Sequence, residues 1–138
     1  MTLDVLATSR VVRMPPPLDV VVKHLEVVVE HVETVPIVHL VGEVDLASVG
    51  LAARPIRQEL ASAPPTMVVD LSPVTFFSAS GLTLLVQTRA AAGRAQTDVQ
   101  VVAGQPAVLR PLALTGLANV FDMYSTVDCA LRAVGLAA

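Results

Sequence analysis

Two serines flank an alanine in Ser78-Ala79-Ser80-Gly81, a quartet that joins a short apolar run ending at Asp70 to a helical apolar pattern. Hydroxyls at a helix start sit where backbone N–H groups lack partners and the helix dipole is positive. Such a place can bind or carry an anion, or present itself to a partner. Several chemistries compete for it. A serine nucleophile on a strand-to-helix elbow calls for Gly-x-Ser-x-Gly, but Phe77 and Ser78 stand where the first glycine belongs. His24, His31 and His39 all precede the serines, which excludes the hydrolase-fold order Ser…Asp…His. These histidines read as solvated or hydrogen-bonded strand side chains. Together with Glu26, Glu30 and Glu33 they match no zinc spacing, so neither a metal nor a cofactor is expected. The phosphate loops Gly-x-x-x-x-Gly-Lys and Gly-x-Gly-x-x-Gly are absent. A partner-binding surface is the stronger reading. It has Leu82, Leu85 and Val86 facing the core and Thr83, Gln87, Thr88 and Arg94 facing outward. Phe76 and Phe77 are adjacent in a strand-like segment, so one belongs to the core and the other sits partly exposed beside the tip. The plainer alternative has both rings in the core and the serines acting only as helix caps.

The chain that positions this tip has 138 residues, 54% of them hydrophobic and 15% charged, which suits one domain with a real core and argues against disorder. With no tryptophan, one tyrosine and three phenylalanines, that core must be built from Val, Leu, Ile and Ala. A net charge of −3, one lysine (Lys23) and scattered arginines leave no electrostatic footprint for nucleic acid. No uninterrupted apolar stretch reaches the ~18 residues of a membrane span. The start Met-Thr-Leu-Asp-Val places an acid where a signal peptide carries basic charge, so a cytoplasmic location is expected. Cys129, the one cysteine, can form no internal disulfide and reads as a small buried hydrophobe.

Val-rich and Ala-rich segments alternate. Residues 1–23, interrupted by Pro15-Pro16-Pro17, read as an N-terminal extension packed as an edge strand or as the contact of a homodimer. Residues 24–138 form the domain proper. Residues 25–32 and 36–41 predict a hairpin, and 47–61 a helix capped by Asp45 or Ser48 and ended by Ala63-Pro64-Pro65. Met67–Leu71 has the continuous apolar character of a parallel strand buried on both faces. A helix follows over 80–92 with Gly93 at its end, then a strand at 99–103, a helix at 107–115, a strand at 119–122 and a last helix to Val134, begun by Asp122 or Ser125. The order β-β-α-β-α-β-α-β-α implies an α/β fold. It is a mixed, mostly parallel sheet of four to five strands with helices packed on it and an antiparallel N-terminal hairpin.

Gly42-Glu43-Val44-Asp45, Asp70-Leu71-Ser72 with Val74 and Phe76-Phe77, and Ser80-Gly81-Leu82 together resemble the STAS domain, most closely the bacterial anti-sigma factor antagonists. Leu114-Thr115-Gly116-Leu117, Val120-Phe121 and Ser125-Thr126-Val127-Asp128 continue the likeness, which spans roughly residues 25–135. The resemblance implies a STAS-like fold and a switch protein, not an enzyme. Such a protein binds an anti-sigma factor with a kinase-like ATPase fold and so releases a sigma factor, regulating transcription. It also implies that phosphorylation of a serine at the helix tip breaks the complex, by adding about −1.5 to −2 charges inside a contact surface. On this alignment the partner-binding tip is Ser78, Ala79, Ser80, Gly81 and Thr83, supported by Asp45 and by Ser72 in the loop. Ala79 falls on the phosphoacceptor and Ser78 on an aspartate of the family pattern. Two readings follow: an antagonist that phosphate cannot switch off, or a shifted phosphosite at Ser78 or Ser80. A third, of another class, is a scaffolding STAS module that binds some other protein or a nucleotide.

Overall fold

The computed structural model describes residues 24–136 in full, together with the backbone of Val12–Met14. The described residues form a single seven-stranded mixed sheet. Strands β1 (Val12–Met14), β2 (Leu25–Val32) and β3 (Val35–Val44) pair antiparallel, with Met14 opposite Val27 and Val32 opposite Val35. Strands β4 (Thr66–Asp70), β6 (Asp98–Val102) and β7 (Asp122–Tyr124) add in parallel to give the order β1-β2-β3-β4-β6-β7. β4 stops at Asp70 while β3 runs on to Val44, which leaves the end of β3 with a free edge. Strand β5 (Val74–Phe77) takes that edge, pairing Gly42, Glu43 and Val44 with Val74, Phe76 and Phe77. The sequence reading placed no separate strand there, because four residues carry too little periodicity to stand out from a turn. Of the N-terminal extension, only Val12–Met14 is among the described residues, as the strand β1 beside β2. The expected dimer contact lies outside them.

One face of the sheet is covered by α1 (Val49–Leu60), α2 (Ala79–Ala95) and α3 (Pro106–Leu114), the other by the short α4 (Val127–Ala133). Strand alternation sorts the core accordingly. Val38, Leu40, Met67, Val69 and Val101 point into the larger cluster with Ile56, Leu85 and Leu112. Ile37, Val68 and Val102 point the other way, against Ala130 and Leu131. β4 is therefore buried at every position, which is why it reads as a continuous apolar run.

Several local expectations are corrected. On α2, Thr88 is buried and Val86 half exposed, the reverse of what was expected. The inward stripe is Gly81, Leu84, Leu85, Thr88 and Ala92. Its phase is set by Gly81, where an added Cβ would lie 2.6 Å from the buried Phe77 ring, so the helix can approach β5 only along that stripe. α2 also runs past Gly93, and Gln96 adopts the left-handed conformation that closes it. The strand expected at 119–122 begins three residues later. Leu117–Asn119 form a 3-10 turn and Phe121 enters the core from the loop, so the ladder with β6 starts only at Asp122. The cap of α4 is Thr126, whose hydroxyl accepts from the Cys129 N–H, rather than Asp122 or Ser125. Cys129 is exposed and not buried, since Ala130 and Leu131 take the inward positions of this seven-residue helix.

Gly42 lies at the bulge where β3 passes from β4 to β5. Its φ is +118° and a Cβ there would stand 2.0 Å from the backbone oxygen of His24. Both the conformation and the close approach exclude a side chain. Gly42→Ala is expected to cost about 2–4 kcal/mol in chemical denaturation, combining backbone strain with overpacking. A loss below about 0.5 kcal/mol would refute that account.

Candidate functional site

Val44 closes β3 and its carbonyl accepts from the Ser78 N–H at 2.9 Å, which ties the start of α2 to the end of β3. Ser78 is the N-cap: its backbone is extended, and its Oγ accepts from the Ser80 N–H at 3.2 Å. The Ser78 carbonyl then accepts from Gly81 and Leu82, beginning the helix. Ala79 and Thr83 are exposed, Ser80 is half-buried, and Gly81 is buried against Phe77. The Ser80 hydroxyl has no hydrogen-bond partner among the described residues. The first turn of α2 contains no acidic residue, so nothing on the helix itself offsets its positive end.

The neighbouring loop is built as a closed turn. Asp45 Oδ1 accepts from the N–H groups of Ala47 and Ser48, each at 3.0 Å. Ser48 Oγ in turn accepts from the Asp45 N–H and donates to the Glu43 carbonyl at 2.8 Å. His24 Nε2 donates to Asp45 Oδ1 at 3.3 Å. Partial burial pushes the Asp45 carboxyl up, but the bonds from His24 and Ser48 outweigh it, so its pKa lies below the ordinary carboxylate value. This carboxylate is thus occupied in fixing the loop. That loop thrusts Leu46 outward, 83% exposed, while Phe76 on β5 is 51% exposed. Phe77 is buried, so the two rings do face opposite sides. The Val44–Ser78 bond brings Leu46, Phe76 and the Ala79–Thr83 turn to one end of the sheet. Leu46 and Phe76 are thus large apolar side chains left exposed at the same end of the sheet as the helix start.

Ser72 stands apart from this tip. Its Oγ donates to Asp70 Oδ1 at 2.6 Å, and its N–H donates to the same oxygen at 3.0 Å. The other Asp70 oxygen accepts from His39 Nδ1 at 2.6 Å, and His39 Nε2 donates to Glu30 Oε1 at 2.7 Å. The hydrogen bond to Asp70, joined by that to Glu30, raises the His39 pKa against the opposing effect of burial. Burial likewise opposes ionisation of Asp70, but His39 and Ser72 hold its pKa below the ordinary range. The His39 ring therefore bridges two carboxylates. Ser72 meets the acid of this chain of bonds and not the histidine, so it makes no nucleophile–base contact. His31 Nε2 donates to Glu59 Oε1 at 2.7 Å, so each of the three histidines is engaged by a carboxylate. No group of three His, Cys, Asp or Glu suited to a metal ion occurs among the described residues. A cavity of about 530 Å³ lined by Arg89, Asp98 and Asp122 lies at the starting ends of β6 and β7, away from the tip.

Sequence reasoning missed Leu46, Gln105 and the pairing of His39. Gln105 Nε2 donates to the carbonyls of Leu71, Ser72 and Val74, fixing the loop between β4 and β5. Leu46 did leave a signal: a large apolar residue placed directly after a capping acid.

Comparison with known proteins resolves the family. The sequence profile of the STAS domain matches residues 26–130. This chain belongs to the STAS domain family. It is 33% identical over 100 residues to the anti-sigma-F factor antagonist RsfB of Mycobacterium tuberculosis, covering 72% of this chain and 81% of that protein. Among solved structures it resembles an anti-sigma factor antagonist from Mycobacterium paratuberculosis, with TM-score 0.75 and 37% identity over 80% of this chain and 93% of the other. The unphosphorylated anti-sigma factor antagonist SpoIIAA shares the fold, with TM-score 0.68 at 18% identity over 81% of this chain and 99% of the other. The STAS domain so recognised contains both the tip and the His39 network. No described helix is long and apolar enough to cross a membrane.

Proposed function

We propose that this STAS domain is an anti-sigma factor antagonist. It binds an anti-sigma factor of the serine-kinase type and so releases a sigma factor, acting by contact and not by catalysis. The observation that carries this reading is the exposed start of α2, pinned to β3 through Ser78 at the end of the sheet where Leu46 and Phe76 are also exposed. Two relatives above 30% identity carry the same description, which supports it. In this reading Ala79, Ser80 and Thr83 touch the partner, Ser78 and Gly81 shape the turn, and Asp45 holds the adjoining loop. Ser72 acts indirectly, through Asp70.

Ala79 has no hydroxyl, so a phosphate cannot be placed at this exposed position of the tip. The antagonist is therefore not switched there. Of the two neighbouring serines, Ser78 has its oxygen engaged as the cap and Ser80 does not. Any phosphate transfer by the partner kinase falls on Ser80. Incubation with that kinase and ATP, followed by mass spectrometry, tests this directly. Phosphate on Ser78 would overturn the assignment, and phosphate on neither serine would leave an antagonist without this switch.

Ser80→Asp separates binding from folding. A carboxylate in the first turn of a helix is favourable by about 0.3–1 kcal/mol, so thermal stability should hold or rise. Affinity for the anti-sigma factor, measured by calorimetry, should fall about tenfold or more as a charge enters the contact. Unchanged affinity would place the interface elsewhere.

A further inference from the structure

The charge of this domain is divided unevenly. The chain is net negative, yet α1 and α2 carry Arg54, Arg57, Arg89 and Arg94 against one acid, Glu59. Glu59 is bonded to His31. None of the four guanidinium groups pairs with a carboxylate among the described residues. Between these helices runs a groove of about 270 Å³, with Ile56, Leu60 and Leu84 along its apolar floor and Arg57, Gln87 and Arg94 at its rim. Sites for small organic ligands occupy about 300–1,000 Å³ and enclose their ligand. This groove is smaller than that and suits side chains. Arg57 and Arg94 each lie in the last turn of a helix, where a cation complements the dipole. That placement favours both charges but leaves their outer sides unpaired.

The groove is also continuous with the tip. Thr83, Gln87 and Arg94 follow one another along α2 at spacings of four and seven residues, so they lie on one stripe. At 1.5 Å per residue the stripe extends about 16 Å from tip to groove, well within one face of a standard protein interface.

We propose that the α1–α2 groove receives an acidic segment of the partner that docks on the tip, an apolar side chain flanked by carboxylates that meet Arg57 and Arg94. The proposal rests on the tip reading and adds a second, electrostatic half to the same footprint. The tip carries no formal charge from Ser78 to Thr83, so recognition by charge falls to the groove. A negatively charged chain would otherwise repel an acidic partner. The groove between the two helices presents cations that reverse that repulsion.

The test uses the full chain and the purified anti-sigma factor of the same organism, with binding measured by calorimetry. Arg57→Glu combined with Arg94→Glu should weaken binding at least about tenfold at low salt, while melting temperature stays within a few degrees. Arg57→Lys with Arg94→Lys should retain most of the affinity. Wild-type affinity should fall between about 50 and 300 mM salt, and the reversed pair should flatten that dependence. Unchanged affinity in the reversed pair, with Ser80→Asp still impaired, overturns the groove and leaves the tip reading intact. Impairment of the reversed pair alone, with Ser80→Asp normal, overturns the tip reading and the shared footprint with it. Sedimentation with phosphatidylglycerol vesicles, or self-association by sedimentation velocity, that the reversed pair abolishes would overturn the proposal in favour of a lipid surface or a second copy.

Discussion

Between about pH 4 and 6.5, Asp70→Ala should lower the stability of this domain by about 3 kcal/mol, the range expected when one partner of a buried ion pair is removed. Asp70 is 4% exposed and holds three bonds: from His39, from the Ser72 hydroxyl and from the Ser72 N–H. Its loss leaves the His39 ring with Glu30 alone and removes both bonds that hold Ser72 in the loop leading into β5. The pH dependence identifies the cause. The pKa of His39 is raised above its ordinary 6.5, so its contribution is complete below that pH and is lost as pH rises through the folded-state value. The pKa of Asp70 is lowered from 3.8, so its contribution is complete above that pH and is lost as pH falls through the folded-state value. The network is thus fully effective between about pH 4 and 6.5 and weakens on both sides. Urea denaturation across pH 3–9 should show two limbs in the wild type, both flattened by Asp70→Ala. Part of the acid limb should survive, because the Asp45 pKa is lowered as well. An Asp70→Ala curve that runs parallel to wild type at every pH would refute the assignment.

Ala79→Ser should convert the tip into a phosphorylation switch. Position 79 is the first residue of α2 and is exposed, so a hydroxyl there adds no buried polar group. A phosphate on it would meet the unpaired N–H groups of the first turn, which favours the modified chain in isolation. Within the partner contact, the same phosphate brings about −1.5 to −2 charges and must be desolvated there. The variant should bind like wild type, accept phosphate from the anti-sigma kinase, and then lose affinity by about two orders of magnitude, a cost near 3 kcal/mol. Mass spectrometry and calorimetry on the two forms read both steps. A modified variant that still binds with wild-type affinity would remove the tip from the interface.

The sequence alone determined whatever depends on neighbours along the chain. Alternation in residues 25–41 set a hairpin, the unbroken run Met67–Leu71 set a strand buried on both faces, and the Ser78–Gly81 quartet set a helix start. Asp45 or Ser48 was expected to cap the next helix; Ser48 stands at the N-cap position, and Asp45 bonds the turn before it. Each of these is a short-range pattern, because backbone hydrogen bonding and the 2.0 or 3.6 residue period act over a few positions.

Tertiary structure decided what depends on which segments meet. The inward face of α2 could not be read from Leu82, Leu84, Leu85 and Val86, since several stripes are apolar. Contact between Gly81 and Phe77 chose the one that buries Thr88 and exposes Val86. His39 and Asp70 lie 31 positions apart and are joined only because β3 and β4 are neighbours in register. β5 exists because β3 outruns β4 and leaves an edge to be paired. Arg57 and Arg94 looked scattered along the chain and met at the rim of one groove when two crossover helices packed side by side. Charge and hydrogen-bond partners act through space, and one dimension does not carry that distance.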